Sequence, residues 1–292
     1  MTIHIASVVT CDLFDKVYLL LNSLKHNKRP DTTIEYYLFI SDSSSFSAAR
    51  YTEYFQALID DHFQIHFEDV APLHNRIHAP HTIVYYVRYL FPQLFPDLDE
   101  IIHIDAGDAF CVGPGLEAFW ELNIEDRWLG AVIDPTWQYC PMFKSDPVNC
   151  GTDHYFNDGV ILMNLKKIRE DCKDAELAQW CLNWDDSKLR RICFAQTLAN
   201  YVLKDKVKLI NSRYNNTLLA SLGVTKDCYT YVFNQEGWLN PLDSLNNAVI
   251  VHFCGQNKPW SSTALNLPLS EYPYKEEAVQ LWRDIEAKYG KQ

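Results

Sequence analysis

The chain alternates short apolar runs with longer segments in which apolar residues recur every three or four positions. Ile3 to Ala6 predicts a first strand. Over 13–25, Leu13, Val17, Leu20, Leu21 and Leu24 fall on one helical face. Tyr36 to Ile40 predicts a buried strand, and the polar run Ser41-Asp42-Ser43-Ser44-Ser45 a turn and helix cap. A helix over 46–60, a strand Gln64 to Phe67 and a helix over 82–95 follow, the last stopped by Pro96-Asp97. Glu100 to Ile104 is the next strand. Strand and helix in alternation predict a mostly parallel α/β sheet with helices on both faces, whose ligands lie at the carboxyl ends of the strands.

Beyond residue 115 the alternation loosens. A short helix Glu117 to Leu122, a strand Trp128 to Ile133 and a loop over 135–153 rich in Pro, Cys and Asp come first. Gly159 to Asn164 reads as strand, and 166–171, 174–183 and 189–203 as helices. Val207 to Ile210 and Ala248 to His252 read as strands and 274–289 as a closing helix. No repeat or linker interrupts the 292 residues, so a single domain over 1–292 is expected.

Charge narrows the partners. Against 38 acidic residues stand 26 basic ones, a net charge of -12, and the longest basic runs are pairs such as Lys166-Lys167 and Arg190-Arg191. Such a chain repels phosphate backbones and anionic lipid, so no nucleic-acid partner is expected. Apolar runs such as Val160 to Met163 are strand-sized, far below the ~20 residues of a membrane helix, so no stable membrane insertion is expected. The start, Met1 to Ile5, has neither the basic nor the long apolar region of an export signal. The nine cysteines include no Cys-x-x-Cys pair, and they read as reduced thiols of a cytoplasmic protein. The sequon Asn215-Asn216-Thr217 reads accordingly as chance.

Three segments can carry chemistry. Ile102-His103-Ile104-Asp105-Ala106-Gly107-Asp108 ends a strand in two carboxylates, which suit a hard divalent cation but also ordinary turn chemistry. Val251 to Trp260 ends a strand in His252, then offers Gly255, where backbone can approach a ligand, and Lys258, a point charge suited to phosphate. Tyr155 to Leu165 sets Asn157-Asp158-Gly159 immediately before a buried strand, as a cleft wall or as a plain turn.

Together these segments resemble glycosyltransferase family 8, the retaining transferases that use nucleotide sugars. Phe156 to Arg169 is similar to the family's Phe-Asn-x-Gly-Val-x-Leu-Ile-Asn-Leu-Lys run, and His252 to Trp260 to its His-x-x-Gly-x-x-Lys-Pro-Trp run. Tyr86-Val87-Arg88-Tyr89 is similar to a Tyr-x-Arg-Leu segment. Asp105-Ala106 is similar to the start of an Asp-x-Asp motif, Gly130 to Asp134 to a Gly-Ala-x-x-Asp strand, and Arg213-Tyr214-Asn215 to a late turn. The ordered resemblance covers residues 3 to about 263. It implies a GT-A-type fold, with a nucleotide-binding half over about 1–110 and an acceptor half with the C-terminal helix over 111–292. It implies a hexosyltransferase that moves galactose or glucose from a UDP-sugar, with Mn²⁺ or Mg²⁺, to a glycan, lipid-linked or glycoprotein acceptor. Such a chain would visit the inner membrane surface at most transiently.

The resemblance also implies roles. Uridine and its phosphates would lie near Val8, Thr10, Asp12, Ala106, Gly255 and Lys258. Asp105, a second acid and His252 would hold the metal. Arg88, Asp134, Asn157, Asp158 and Gln196 would surround the sugar. In three places the chain departs from the pattern. Gly107 stands at the second motif Asp, so either Asp108 reaches the metal or that ligand is lost. Thr10 stands where an Asp is frequent, and Ala195-Gln196-Thr197 replaces an Asp-Gln-Asp run. A family member that binds a nucleotide sugar or a partner protein without turnover is the alternative these departures leave open.

Overall fold

The computed structural model describes all residues except 42–45, 77–82, 125, 135–154, 172–176, 178–193, 218–240, 256, 263–265, 267–273 and 292. The expected turn at Ser41 to Ser45 lies largely outside the described residues. So do the loop over 135–153 and most of the helix over 174–183.

Described strands run β1 Thr2–Val9, β2 Thr33–Ile40, β3 Phe63–Asp69, β4 Glu100–Ile104, β5 Ala109–Cys111, β6 Leu129–Ile133, β7 Phe156–Asn164, β8 Val207–Leu209 and β9 Ile250–His252. Seven form one sheet in the order β3-β2-β1-β4-β7-β6-β8, and β5 pairs with β9 in a separate ribbon. β1, β2, β3 and β4 run parallel, as do β6 and β8, while β7 is antiparallel to both its neighbours. This is the mostly parallel α/β sheet that the alternation predicts.

Both faces of the central strands β1, β4, β6 and β7 are covered, which is why these read as near-continuous apolar runs. In β1, Ile3, Ile5 and Val9 enter one core, with Val17, Leu20, Leu21 and Leu24 of helix α1 (Phe14–Asn27). Ala6 and Val8 enter the other, with Tyr86, Val87, Tyr89, Leu90 and Phe91 and with Leu198 and Ala199 of the helix Phe194–Leu203. Ser7 is the polar exception. It is fully buried, hydrogen-bonds the Tyr36 hydroxyl, and donates to the Ile104 carbonyl at 2.5 Å. That bond ties β1 to the end of β4 beyond their last paired residues, Ala6 and His103.

Two expectations need correction, and one strand is additional. The helix over 82–95 is a series of short turns in its described part: 3₁₀ at Ile83–Tyr85 and Val87–Leu90, then one α-turn at Phe91–Leu94. Pro92 has no N–H for the Arg88 carbonyl, and its ring would clash there, so a continuous α-helix is disfavoured. The Phe91 N–H bonds Arg88 in a tighter 3₁₀ arrangement instead. Strand β7 begins at Phe156, so Asn157, Asp158 and Gly159 lie inside a strand rather than in a turn before it. Strand β5 went unread, because Asp108 and Cys111 flank too few apolar residues to give a period.

The closing helix Lys275–Tyr289 buries Ala278, Val279, Trp282, Ile285 and Tyr289, a single apolar stripe. Trp282 packs on Phe110, Phe253 and Trp260, with centroids at 5.5, 6.4 and 4.4 Å. It therefore buttresses the β5–β9 ribbon. Trp282→Ala should lower the unfolding free energy by about 3–5 kcal/mol in urea denaturation, the usual cost of emptying a buried aromatic site. A change under ~1 kcal/mol would show that the ribbon stands without the helix.

Candidate active site

The carboxyl ends of β1 and β4, a distorted stretch of β7 and the end of β9 converge. The distortion is a register shift: Ala131 of β6 pairs with Ile161, but its neighbour Val132 pairs with Asn157. Asp158, Gly159 and Val160 have no β6 partner there, an irregularity that re-aims their neighbours as bulges do. The Gly159 carbonyl accepts from the Asp105 N–H at 2.7 Å, so β7 seals the end of β4.

Asp105, Asp108 and His252 each offer a ligand atom, and these atoms lie within 4.8 Å of one another. Two backbone features bring Asp108 in. Gly107 has φ +108°, a conformation open to glycine, and the next residues enter the β5–β9 ribbon, where Ala109 pairs with His252. Asp108 Oδ1 is 3.4 Å from His252 Nε2, and Oδ2 is 2.5 Å from Lys258 Nζ. Lys258 also donates to the Phe253 carbonyl at 2.5 Å. Two carboxylates and an imidazole are a donor set that could hold a divalent metal ion. At Gly159 a Cβ would stand 2.2 Å from His252 Cε1 and 2.8 Å from Asp105 Oδ2, so only glycine leaves these ligand atoms in place.

Arg88 lies behind this cluster, 3% exposed. Its Nη2 donates to Asp105 Oδ1 at 2.7 Å and its Nη1 to the Asp158 carbonyl at 2.6 Å; Asp158 Oδ2 is 3.6 Å from Nη1. Burial favours the neutral form of Asp105. The Arg88 guanidinium and the His103 ring outweigh it and hold the carboxyl well below the usual range. His103 Nε2 is 3.1 Å from Asp105 Oδ1, and burial with the Arg88 charge lowers the His103 pKa to about 4. For Asp108 too, burial is outweighed, here by His252 and Lys258, and its pKa falls. For Asp158 burial prevails and raises the pKa. Burial would lower the His252 pKa, but the Cys254 sulfur and the Asp108 carboxylate raise it well above 6.5.

An amide network joins the rest. Asn215 Oδ1 is 3.1 Å from His252 Nδ1, and its Nδ2 donates to Asn157 Oδ1 at 2.8 Å. Asn157 Nδ2 and Gln196 Nε2 both donate to Asp134 Oδ2, at 3.3 and 3.0 Å. The Asp158 N–H donates to Gln196 Oε1 at 3.3 Å. Arg88, Asp105, Asp108, Asp134, Asn157, Asp158, Gln196, His252 and Lys258 thus form one continuous constellation.

The remaining expected residues lie at its edges. Val8 is buried at the end of β1, Thr10 is half-buried and Asp12 is exposed in the next turn. Among the described residues, no hydrogen bond or ion pair joins these three to the cluster. Leu13 in that turn lies 3.1 Å from the Cβ position of Gly107, so the two turns touch. Ala106 is half-buried, and Gly255 is exposed with φ +82° and open space beside it. His103, Tyr89, Gly159, Cys254 and Asn215 belong to the constellation without having been expected there. His103 was within reach of the pattern, because residues two apart on a strand share a face with Asp105. Asn215 is fully buried, so its sequon carries no glycan on this fold.

Residues 20–264 match glycosyl transferase family 8, and the chain belongs to that family. A Haemophilus influenzae protein named as a glycosyltransferase is 26% identical over 194 residues, covering 64% of this chain and 53% of that protein. The lipopolysaccharide 1,2-glucosyltransferase of Escherichia coli K12 is 24% identical over 208 residues, covering 67% and 56%. The chain thus spans about half the length of these relatives. The structure of galactosyltransferase LgtC with donor and acceptor sugar analogues is 20% identical, covers 97% of this chain and 100% of that one, and superposes with a TM-score of 0.62. The fold is therefore the GT-A type. No described helix is long and apolar enough to cross a membrane.

Gly159→Ala should shift the His252 ring signals in a histidine-labelled NMR spectrum and lower the thermal midpoint. Unchanged His252 signals would show that the crowding at position 159 is relieved elsewhere.

Proposed function

We propose that this chain is a metal-dependent retaining hexosyltransferase. It moves a hexose, galactose or glucose, from a UDP-sugar to a glycan, lipid-linked or glycoprotein acceptor. The carrying observation is the convergence of Asp105, Asp108 and His252 beside Lys258 at the carboxyl edge of the sheet. Gly107 had left open the loss of the second acid, and Asp108 standing in the cluster favours a working enzyme over a binding-only one.

In this reading Asp105, Asp108 and His252 hold Mn²⁺ or Mg²⁺, which when bound neutralises charge on the donor diphosphate. Lys258 leaves Asp108 to a cation and turns its ammonium to the phosphate oxygens. The backbone at Gly255 approaches the diphosphate closely, with no side chain in the way. The turn from Val8 through Thr10 to Asp12, with Ala106, borders the uridine. Arg88 fixes Asp105 and the Asp158 backbone, so negative charge developing on the leaving group meets groups already oriented. Asn157, Asp158 and Asp134 bind sugar hydroxyls. Gln196 is held at both ends of its amide, by Asp134 and the Asp158 N–H, and offers oxygen density beside a cationic anomeric carbon without being a strong nucleophile. Departure and attack on the same face of the sugar follow, with no covalent glycosyl-enzyme. The work takes place in the cytoplasm, with at most transient contact with the inner membrane surface.

UDP affinity measured calorimetrically with Mn²⁺ should fall by about tenfold or more when EDTA is added; unchanged affinity would end the metal reading. Asp108→Ala should weaken metal-dependent UDP binding about as much as Asp105→Ala, and a silent Asp108→Ala would reduce the site to fewer ligands. Incubated with UDP-hexoses and Mn²⁺, the protein should release UDP slowly. Gln196→Ala should slow that release without abolishing it, whereas a trapped glycosyl adduct on any side chain would refute the front-face route.

A further inference from the structure

We propose that Tyr89 is a positioning residue for the choice of donor sugar: its hydroxyl fixes the Asp158 carboxylate so that the second oxygen accepts from a hexose hydroxyl. This rests on the donor-site reading above and names a determinant within it.

Tyr89 is 2% exposed and its hydroxyl donates to Asp158 Oδ2 at 2.6 Å. Oδ2 also faces Arg88, 3.6 Å away. Among the described residues no hydrogen bond reaches Oδ1, although an ionised carboxylate has room for about four donors. Asp158 is thus anchored by one oxygen and leaves the other for a ligand. Its neighbours set where that oxygen stands. The Asp158 carbonyl is bonded to Arg88 and its N–H to Gln196, so the backbone cannot swing, and Tyr89 fixes the side chain.

The sequence around the pair points the same way. In the family pattern that this chain resembles, position 89 is Leu and the residue between Asn157 and Gly159 is open. Ala195, here buried and apolar, stands at an acid. Asp158, whose main-chain N–H donates to Gln196, the neighbour of the missing acid, adds a carboxylate to this part of the site. A carboxylate so deeply placed needs a donor, and leucine has none. Tyr89 supplies it from a turn whose 3₁₀ path presents successive side chains at 88 and 89 to the same bulge of β7. Two departures from the pattern thus compensate each other. A structural bond alone would explain the pairing but not the unfilled Oδ1.

The test uses the full chain, Mn²⁺, and calorimetric affinities for UDP, UDP-galactose and UDP-glucose. Tyr89→Phe should leave UDP affinity within about twofold. It should change the ratio of the two UDP-hexose affinities by about tenfold, the worth of one hydrogen bond to a charged group. Asp158→Asn should change the same ratio, and adding Tyr89→Phe to it should change it by less than about twofold, because the two residues act as one unit. A ratio unmoved by Tyr89→Phe but moved by Asp158→Asn would overturn the positioning role and leave the donor site standing. Wild-type protein that binds neither UDP-hexose would overturn both. Should Tyr89→Phe not fold, the double variant leaves no buried charge unpaired and is compared with Asp158→Asn alone. A further tenfold change then overturns the proposal.

Discussion

At position 159 there is no room for a side chain, and much of the site depends on that. Strand β7 runs antiparallel between β4 and β6 and comes so close to the end of β4 that Gly159 and Asp105 share a backbone hydrogen bond. A Cβ on Gly159 would collide with both the His252 ring and the Asp105 carboxylate. A β7 set farther out would admit a larger residue but would release the bulge that carries Asp158. Close approach of backbone to backbone is thus what brings acids from one strand, an imidazole from another and amides from a third into one cluster.

The same crowding creates an electrostatic problem, and Arg88 resolves it. Three carboxylates, Asp105, Asp108 and Asp158, stand near one another with limited access to water. A guanidinium 3% exposed costs several kcal/mol in lost hydration. It recovers this through bonds to Asp105 Oδ1 and the Asp158 carbonyl and a close Asp158 carboxylate. Removing it would leave the buried Asp158 and the partly exposed Asp105 without their cation, a destabilising loss. Lys258 has the corresponding place at Asp108, but its flexible stem and 22% exposed side chain let it move where Arg88 cannot. Fixed charge holds the frame, and mobile charge stands where a phosphate would arrive.

The sequence made the sheet legible because its central strands, β1, β4, β6 and β7, are buried on both faces, and buried runs such as Ile101 to Ile104 announce themselves. Asp105, His252 and the Asn157 stretch were legible because they sit at the ends of such runs or in ordered motifs. What failed was local. Pro92 lies inside an apolar period that looks helical, and only the carbonyl of Arg88 four residues earlier reveals that a continuous α-helix is disfavoured there. Asn157-Asp158-Gly159 has turn composition, yet pairing on both sides keeps it in a strand. Asn215 and Tyr89 carry no local signal for contacts made 58 and 69 residues away in sequence.

Asp108 shows how topology can substitute for sequence spacing. Counted from Asp105, it is one residue too far for an Asp-x-Asp pair. Its place, however, is not measured from Asp105. Its carbonyl accepts from the Phe253 N–H, and its neighbour Ala109 is registered against His252 in the β5–β9 ribbon. The ribbon is fixed in turn by Phe110 and Phe253 packing under Trp282. The turn from Ala106 to Gly107 has only to join two ends whose positions are already set, and φ +108° at Gly107 absorbs the additional residue. Because a ladder fixes the carboxylate beside His252, the acid and the imidazole arrive together whatever the length of the turn before them.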